Sequence, residues 1–118
     1  MDINLQDYHI VTKLFAGTSL HIIFQHKTDK QSQQVLELQE VAGFIELPGT
    51  EALTTLVIEA AGGDFYASAL SARLNQPEIA SFPEAILFTD EDRVHHCLHV
   101  CARHIAFRKW TANDKKVN

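Results

Sequence analysis

The chain has 118 residues, 46% of them hydrophobic, and 15 acidic against 10 basic side chains give a formal net charge of −5. That length suits one globular domain over residues 1–118, able to bury its core without metal or disulfide staples. The acidic balance, with no lysine or arginine run long enough to follow a phosphate backbone, argues against nucleic acid as a direct partner, and no apolar stretch approaches the roughly 20 residues that span a bilayer. Met1-Asp2-Ile3-Asn4 carries neither a basic region nor an apolar signal core, so the expectation is a soluble, cytoplasmic protein with no membrane contact and with Cys97 and Cys101 as free thiols.

Tyr8 to Phe15 is rich in β-branched and aromatic residues, with Tyr8, Ile10, Thr12 and Leu14 on one parity, and suits a strand. Ala16-Gly17-Thr18-Ser19 makes a turn, and Leu20, Ile22 and Phe24 then alternate with His21, Ile23 and Gln25 in a partner strand whose odd-numbered side is partly exposed. Lys27 to Gln34 contains no apolar residue and reads as a loop or hairpin tip. Beyond it, Leu36 and Leu38 point one way and Val35, Glu37 and Gln39 the other, in a run that continues through Phe44-Ile45-Glu46-Leu47 past a bulge near Gly43.

Pro48-Gly49 closes that run, and Leu53 to Glu59 is the next strand candidate. Asp64 is placed to cap a short helix over residues 65–74, where Tyr66, Leu70 and Leu74 share a face and Pro77 prevents continuation. Ala85 to Thr89 reads as a short buried strand, and the apolar-poor tail 111–118 as frayed. The predicted class is therefore α+β, mainly antiparallel sheet with one short helix.

Segment 94–104 has two readings. As a helix, Val94, Cys97, Leu98, Cys101, Ala102 and Ile105 fall in one arc behind a Thr89/Asp92 capping box. As a strand, Val94, His96, Leu98, Val100 and Ala102 share one face, with His95, Cys97, His99, Cys101 and Arg103 on the other. The strand reading makes Asp90-Glu91-Asp92-Arg93 the turn between the short strand Ala85 to Thr89 and a long returning strand.

His95 to His104 reads HHCLHVCARH and concentrates four of the 7 histidines and both of the 2 cysteines. Its spacing admits a zinc site from His95, Cys97, His99 and Cys101, but structural zinc sites usually pair cysteines two to four residues apart with a distant second pair, and no distant cysteine exists. A Cys–His catalytic pair is disfavoured because a strand sends adjacent side chains to opposite faces. No phosphate-cradling glycine loop or nucleophile elbow occurs, so no catalytic residue, metal or cofactor is assigned. Histidine protonation leaves room for partner binding that weakens below about pH 6. The candidate partner-binding residues are carboxylates: the tip Asp90, Glu91 and Asp92, and the strand residues Glu37, Glu46 and Glu59, which would steer a cationic protein if clustered.

The early hairpin with Leu20-His-Ile-Ile-Phe24, the Val35-Leu-Glu-Leu38 strand leading to Val41 and Phe44, the mid-chain helix, and the closing Ala85-Ile-Leu-Phe88 and Cys97-Leu-His-Val-Cys101 pair together resemble the layout of small bacterial immunity proteins that protect against contact-dependent growth-inhibition and related polymorphic toxins. The resemblance implies a non-enzymatic protein that binds and neutralises a cognate toxin domain, often a nuclease, one to one. The alternative from the residues alone is a zinc-binding protein using the 95–104 cluster. Unpaired edge strands would also support a homodimer.

Overall fold

The computed structural model describes residues 1–47, 52–59, 74–76, 78 and 81–110. Runs of β-branched and aromatic residues form seven strands: β1 (Asp2–Asn4), β2 (Tyr8–Ala16), β3 (Ser19–His26), β4 (Gln33–Glu46), β5 (Thr55–Glu59), β6 (Glu84–Phe88) and β7 (His96–Lys109). They make one fully antiparallel sheet in the order β1-β5-β6-β7-β4-β3-β2. Two meanders, β2-β3-β4 and β5-β6-β7, are joined side by side through the long β4–β7 ladder.

β1 and β2 are consecutive in the chain yet lie at opposite edges of the sheet. Laid flat, seven strands separated by six spacings would hold those edges about 29 Å apart. The link from Asn4 to Tyr8 is four Cα steps and reaches at most about 14 Å. The sheet is therefore curled until its edges meet, and the corner is pinned: the Leu5 N–H donates to Thr54 O at 2.9 Å, the Tyr8 N–H to Leu5 O at 3.0 Å, and the Lys27 N–H to Asp7 O at 2.8 Å. Leu5, 1% exposed, plugs the corner from inside.

Curling needs strands that turn from one layer to the other, and β4 and β7 do so together. Gln39 and Glu40 on β4 and Arg103 and His104 on β7 are consecutive exposed pairs that break the two-residue period. Glu40 takes a left-handed φ of 55°, and the register then slips between Val41 and Gly43. This is the bulge expected near Gly43. The inward residues change parity across the bend, from Leu98, Val100 and Ala102 to Ile105 and Phe107 on β7, and they join Leu20, Ile22, Phe24, Leu36, Leu38, Leu56 and Leu87 in one core.

A second bulge, between Ile10 and Thr12 on β2, is absent from the sequence reading. Ile10 faces inward opposite Phe24, but beyond Val11 it is Lys13 and Phe15 that stand opposite the buried Ile22 and Leu20. Directly opposed residues share a sheet face, so the even parity proposed for Tyr8, Ile10, Thr12 and Leu14 holds only as far as Ile10.

The α+β class is corrected. Among the described residues every regular element is a strand, and the segment read as either helix or strand is the start of β7. The reason is two-sided burial: residues 97–102 are buried without interruption between β4 and β6, which a continuous apolar strand of mediocre helix formers satisfies. The helix expected over 65–74 lies, apart from Leu74, outside the described residues, as does the tail 111–118. No helix among the described residues is long and apolar enough to cross a membrane.

Because Leu5 closes the corner, Leu5→Ala is expected to destabilise the protein by about 2–5 kcal/mol in chemical denaturation, well above an exposed control such as Leu14→Ala.

Candidate functional site

Two places gather side chains able to do something. The first lies on the outer face of β6 and β7, where the register places Glu84 opposite Cys101 and Ile86 opposite His99. His99 Nε2 and Glu84 Oε1 are hydrogen-bonded at 3.1 Å, with the residues 3% and 1% exposed. Glu84 Oε2 has no partner among the described residues, and the Glu59 backbone pairs with Glu84 from the other side. The His96 ring stands edge-on to His99 at 5.8 Å. Burial and, after it, the Glu84 carboxylate push the Cys101 thiol up to about 11. Cys101 therefore stays protonated at neutral pH and is packed with Ala42, Ile45, Leu74 and Phe82, an environment for an inert thiol.

This overturns the zinc alternative. In a strand rising about 3.3 Å per residue, positions four apart are about 13 Å apart, too far to share an ion. His95 is exposed and pairs with Asp90 at 3.0 Å, Cys97 lies in the inner core, and His99 and Cys101 sit on the outer face. Among the described residues no group of three or more His, Cys, Asp or Glu side chains is placed to hold a metal.

The second place is a seam on the inner face. β3 pairs with β4 only up to Leu38, followed by a bond from the Val41 N–H to Thr18 O, so residues 42–46 of β4 pair with β7 alone. β2 is the edge of the sheet. These two unpaired edges approach each other through side chains: Phe15 and Phe44 meet at 5.5 Å between ring centroids, and Lys13 forms an ion pair with Glu46. Between them lies a cavity of about 220 Å³ with a floor of Leu20, Ile22 and Leu98. Phe15 and Phe44 remain 50% and 44% exposed.

The six carboxylates proposed as partner-binding residues do not form one cluster. Glu37 is held by Arg108, with His21 Nε2 at 3.7 Å, and Glu59 is half-buried beside Glu84. Only Glu46 reaches the seam. Asp90 works within its own turn: desolvation pulls its carboxyl up, but hydrogen bonds from the His95 N–H and ring and the Val94 N–H outweigh it and hold Asp90 below the usual carboxylate range. Glu91 and Asp92 are exposed on that turn, as expected of a tip. Sequence reading missed Phe15 and Phe44 as a pair because the Val11 bulge that turns Phe15 inward leaves no compositional trace, and it missed Glu84 because a strand glutamate ordinarily signals a solvated face.

No family model matches this chain, and no curated protein or solved structure is significantly similar to it.

Removing one member of the buried pair strands the other. Glu84→Leu is expected to cost about 1–3 kcal/mol or more, and Glu84→Leu with His99→Phe to recover most of that loss; purely additive single effects in a double-mutant cycle would refute the coupling. In the native protein Cys101 is expected to resist a thiol reagent at pH 8 and to react promptly once the chain is unfolded, which mass spectrometry of the labelled peptides reads directly.

Proposed function

We propose that the protein is a stoichiometric binder that occludes another protein, with no chemistry of its own, and that it serves as a cytoplasmic immunity protein neutralising a cognate bacterial toxin domain. One observation carries the binding reading. Among the described residues, four of the seven exposed large apolar side chains, Val11, Leu14, Phe15 and Phe44, lie on the two strands that flank the seam, and a fifth, Leu47, directly follows β4. Scattered apolar residues need no explanation, but concentration along two unpaired strand edges marks an interaction surface. The acidic charge of −5 supports a cationic partner.

The toxin assignment draws on the layout resemblance: the hairpin β2–β3, the β4 run through Val41 and Phe44, and the β6–β7 pair are three of the four elements that carried it, the fourth being the mid-chain helix that lies outside the described residues. A homodimer through the same edges is the competing use of this surface.

Co-expression with a candidate toxin domain, taken from any toxin-like reading frame found beside the gene, tests the proposal. The expected outcome is rescued growth and a one-to-one complex by size-exclusion chromatography with light scattering. Absence of both complex and rescue would refute the immunity reading.

A further inference from the structure

Resting on the reading of this protein as a binder, we propose that the seam between β2 and β4 is a strand-acceptor site. An extended segment of the partner lies along residues 12–16 of β2, sends one large apolar side chain into the cavity between Phe15 and Phe44, and carries basic residues toward the Asp90–Asp92 turn.

Three features define this occupant. Backbone comes first. Residues 12–16 pair with β3 on one side only, and in an antiparallel strand alternate residues direct their N–H and C=O groups to the far side. The Val11 bulge interrupts the edge before this run but not within it, so a short extended segment meets a regular row of donors and acceptors. An apolar small molecule would leave that row unused.

Cavity size is the second feature. A volume of about 220 Å³ lies below the roughly 300–1,000 Å³ usual for drug-sized ligands, and suits one inserted side chain better than a separate molecule. Its walls are the two phenyl rings and its floor Leu20, Ile22 and Leu98, so the inserted group is apolar. The Lys13–Glu46 pair sits at the rim, half-exposed and internally neutral.

Charge supplies the third. The Leu47 N–H donates to Cys97 O at 2.8 Å, which ties the end of β4 to the start of β7, five residues beyond Asp92 of the acidic turn. In that turn Arg93 is engaged by Asp2 and His95 by Asp90, whereas Glu91 and Asp92 form no ion pair among the described residues. Two uncompensated carboxylates at this end select a basic segment. They also argue against a second copy of the chain, which would bring the same acidic turn and another −5 to the interface.

The probes are three synthetic peptides with one β-forming, leucine-centred core: one flanked by lysines, one by glutamates, and one lysine-flanked with proline at the centre. Each is titrated into the full-length ¹⁵N-labelled protein. The lysine-flanked peptide is expected to bind, to shift the amides of residues 12–16 and 44–46, and to lose at least tenfold in affinity with glutamate flanks, with the central proline, or on Phe44→Ser. Because Phe44 is half-exposed the variant should fold, which its amide dispersion checks, and Phe15→Ser provides a second variant. No binding at millimolar peptide, equal binding of the glutamate-flanked peptide, or shifts centred elsewhere would overturn the proposal. So would self-association of the free protein in sedimentation that Phe44→Ser abolishes, since this assigns the seam to a second copy. A toxin complex unaffected by Phe15→Ser and Phe44→Ser would refute the seam and leave the binder reading intact, whereas failure to form any toxin complex strikes the binder reading itself.

Discussion

The short corner from Leu5 to Asp7 is the constraint on which the molecule turns. It joins strands at opposite edges of a seven-stranded sheet, and so few residues cannot bridge a flat sheet of that width. The inner face must fold over on itself, which lets residues from all seven strands share one core. The same curl sets where the sheet fails to close. Three backbone hydrogen bonds seal the corner. On the far side of β2, toward the second half of β4, contact is made by Phe15, Phe44 and the Lys13–Glu46 pair, with no ladder between the strands.

That asymmetry separates two kinds of buried or half-buried side chain. The histidine- and cysteine-rich stretch looks like the chemical centre of the sequence, but in β7 it is divided between an inner core and an outer face. Cys97 goes to the first, and His99 and Cys101 to the second. The Glu84–His99 hydrogen bond then satisfies groups that the outer face would otherwise leave stranded. A buried pair of this kind is weak evidence of stabilisation in itself, since its desolvation offsets much of what it contributes; its effect is to penalise any register of β6 on β7 that parts the two side chains.

Much of this architecture was legible. Leu20, Ile22 and Phe24 alternate with half-buried neighbours as their spacing demanded, the polar run after Lys27 is a hairpin tip, and the bulge near Gly43 is present. Period-two burial imprints directly on composition wherever one face is solvated. It fails where both faces are buried, and this is why residues 94–104 satisfied helix and strand templates alike. Long-range constraints left no local sign either. Nothing around Leu5 announces that its neighbours join the two edges, and Glu84 reads as a surface carboxylate until His99 is placed beside it. Whether the carboxylates cluster was not legible for a related reason: Glu37, Glu46 and Asp90 are each engaged by a nearby cation or amide, and the fold sets them apart.

The Val11 bulge links fold to surface most directly. Were β2 regular, Thr12 and Leu14 would continue the inward parity of Tyr8 and Ile10, and Phe15 would point away from the core. Adding one residue to β2 at this point exchanges those positions, turning Leu14 outward to 52% exposure and Phe15 toward Phe44. Full burial of such side chains would contribute about 1.5–3 kcal/mol each; the bulge forgoes that for Leu14 and recovers only part of it for Phe15, which stays half-exposed. A slip that exposes apolar surface at an unpaired edge is disfavoured by folding and by solubility alike. It is intelligible if the surface so produced is covered when the protein is at work, which is why the seam, rather than the more conspicuous run of histidines and cysteines, is where function is to be sought.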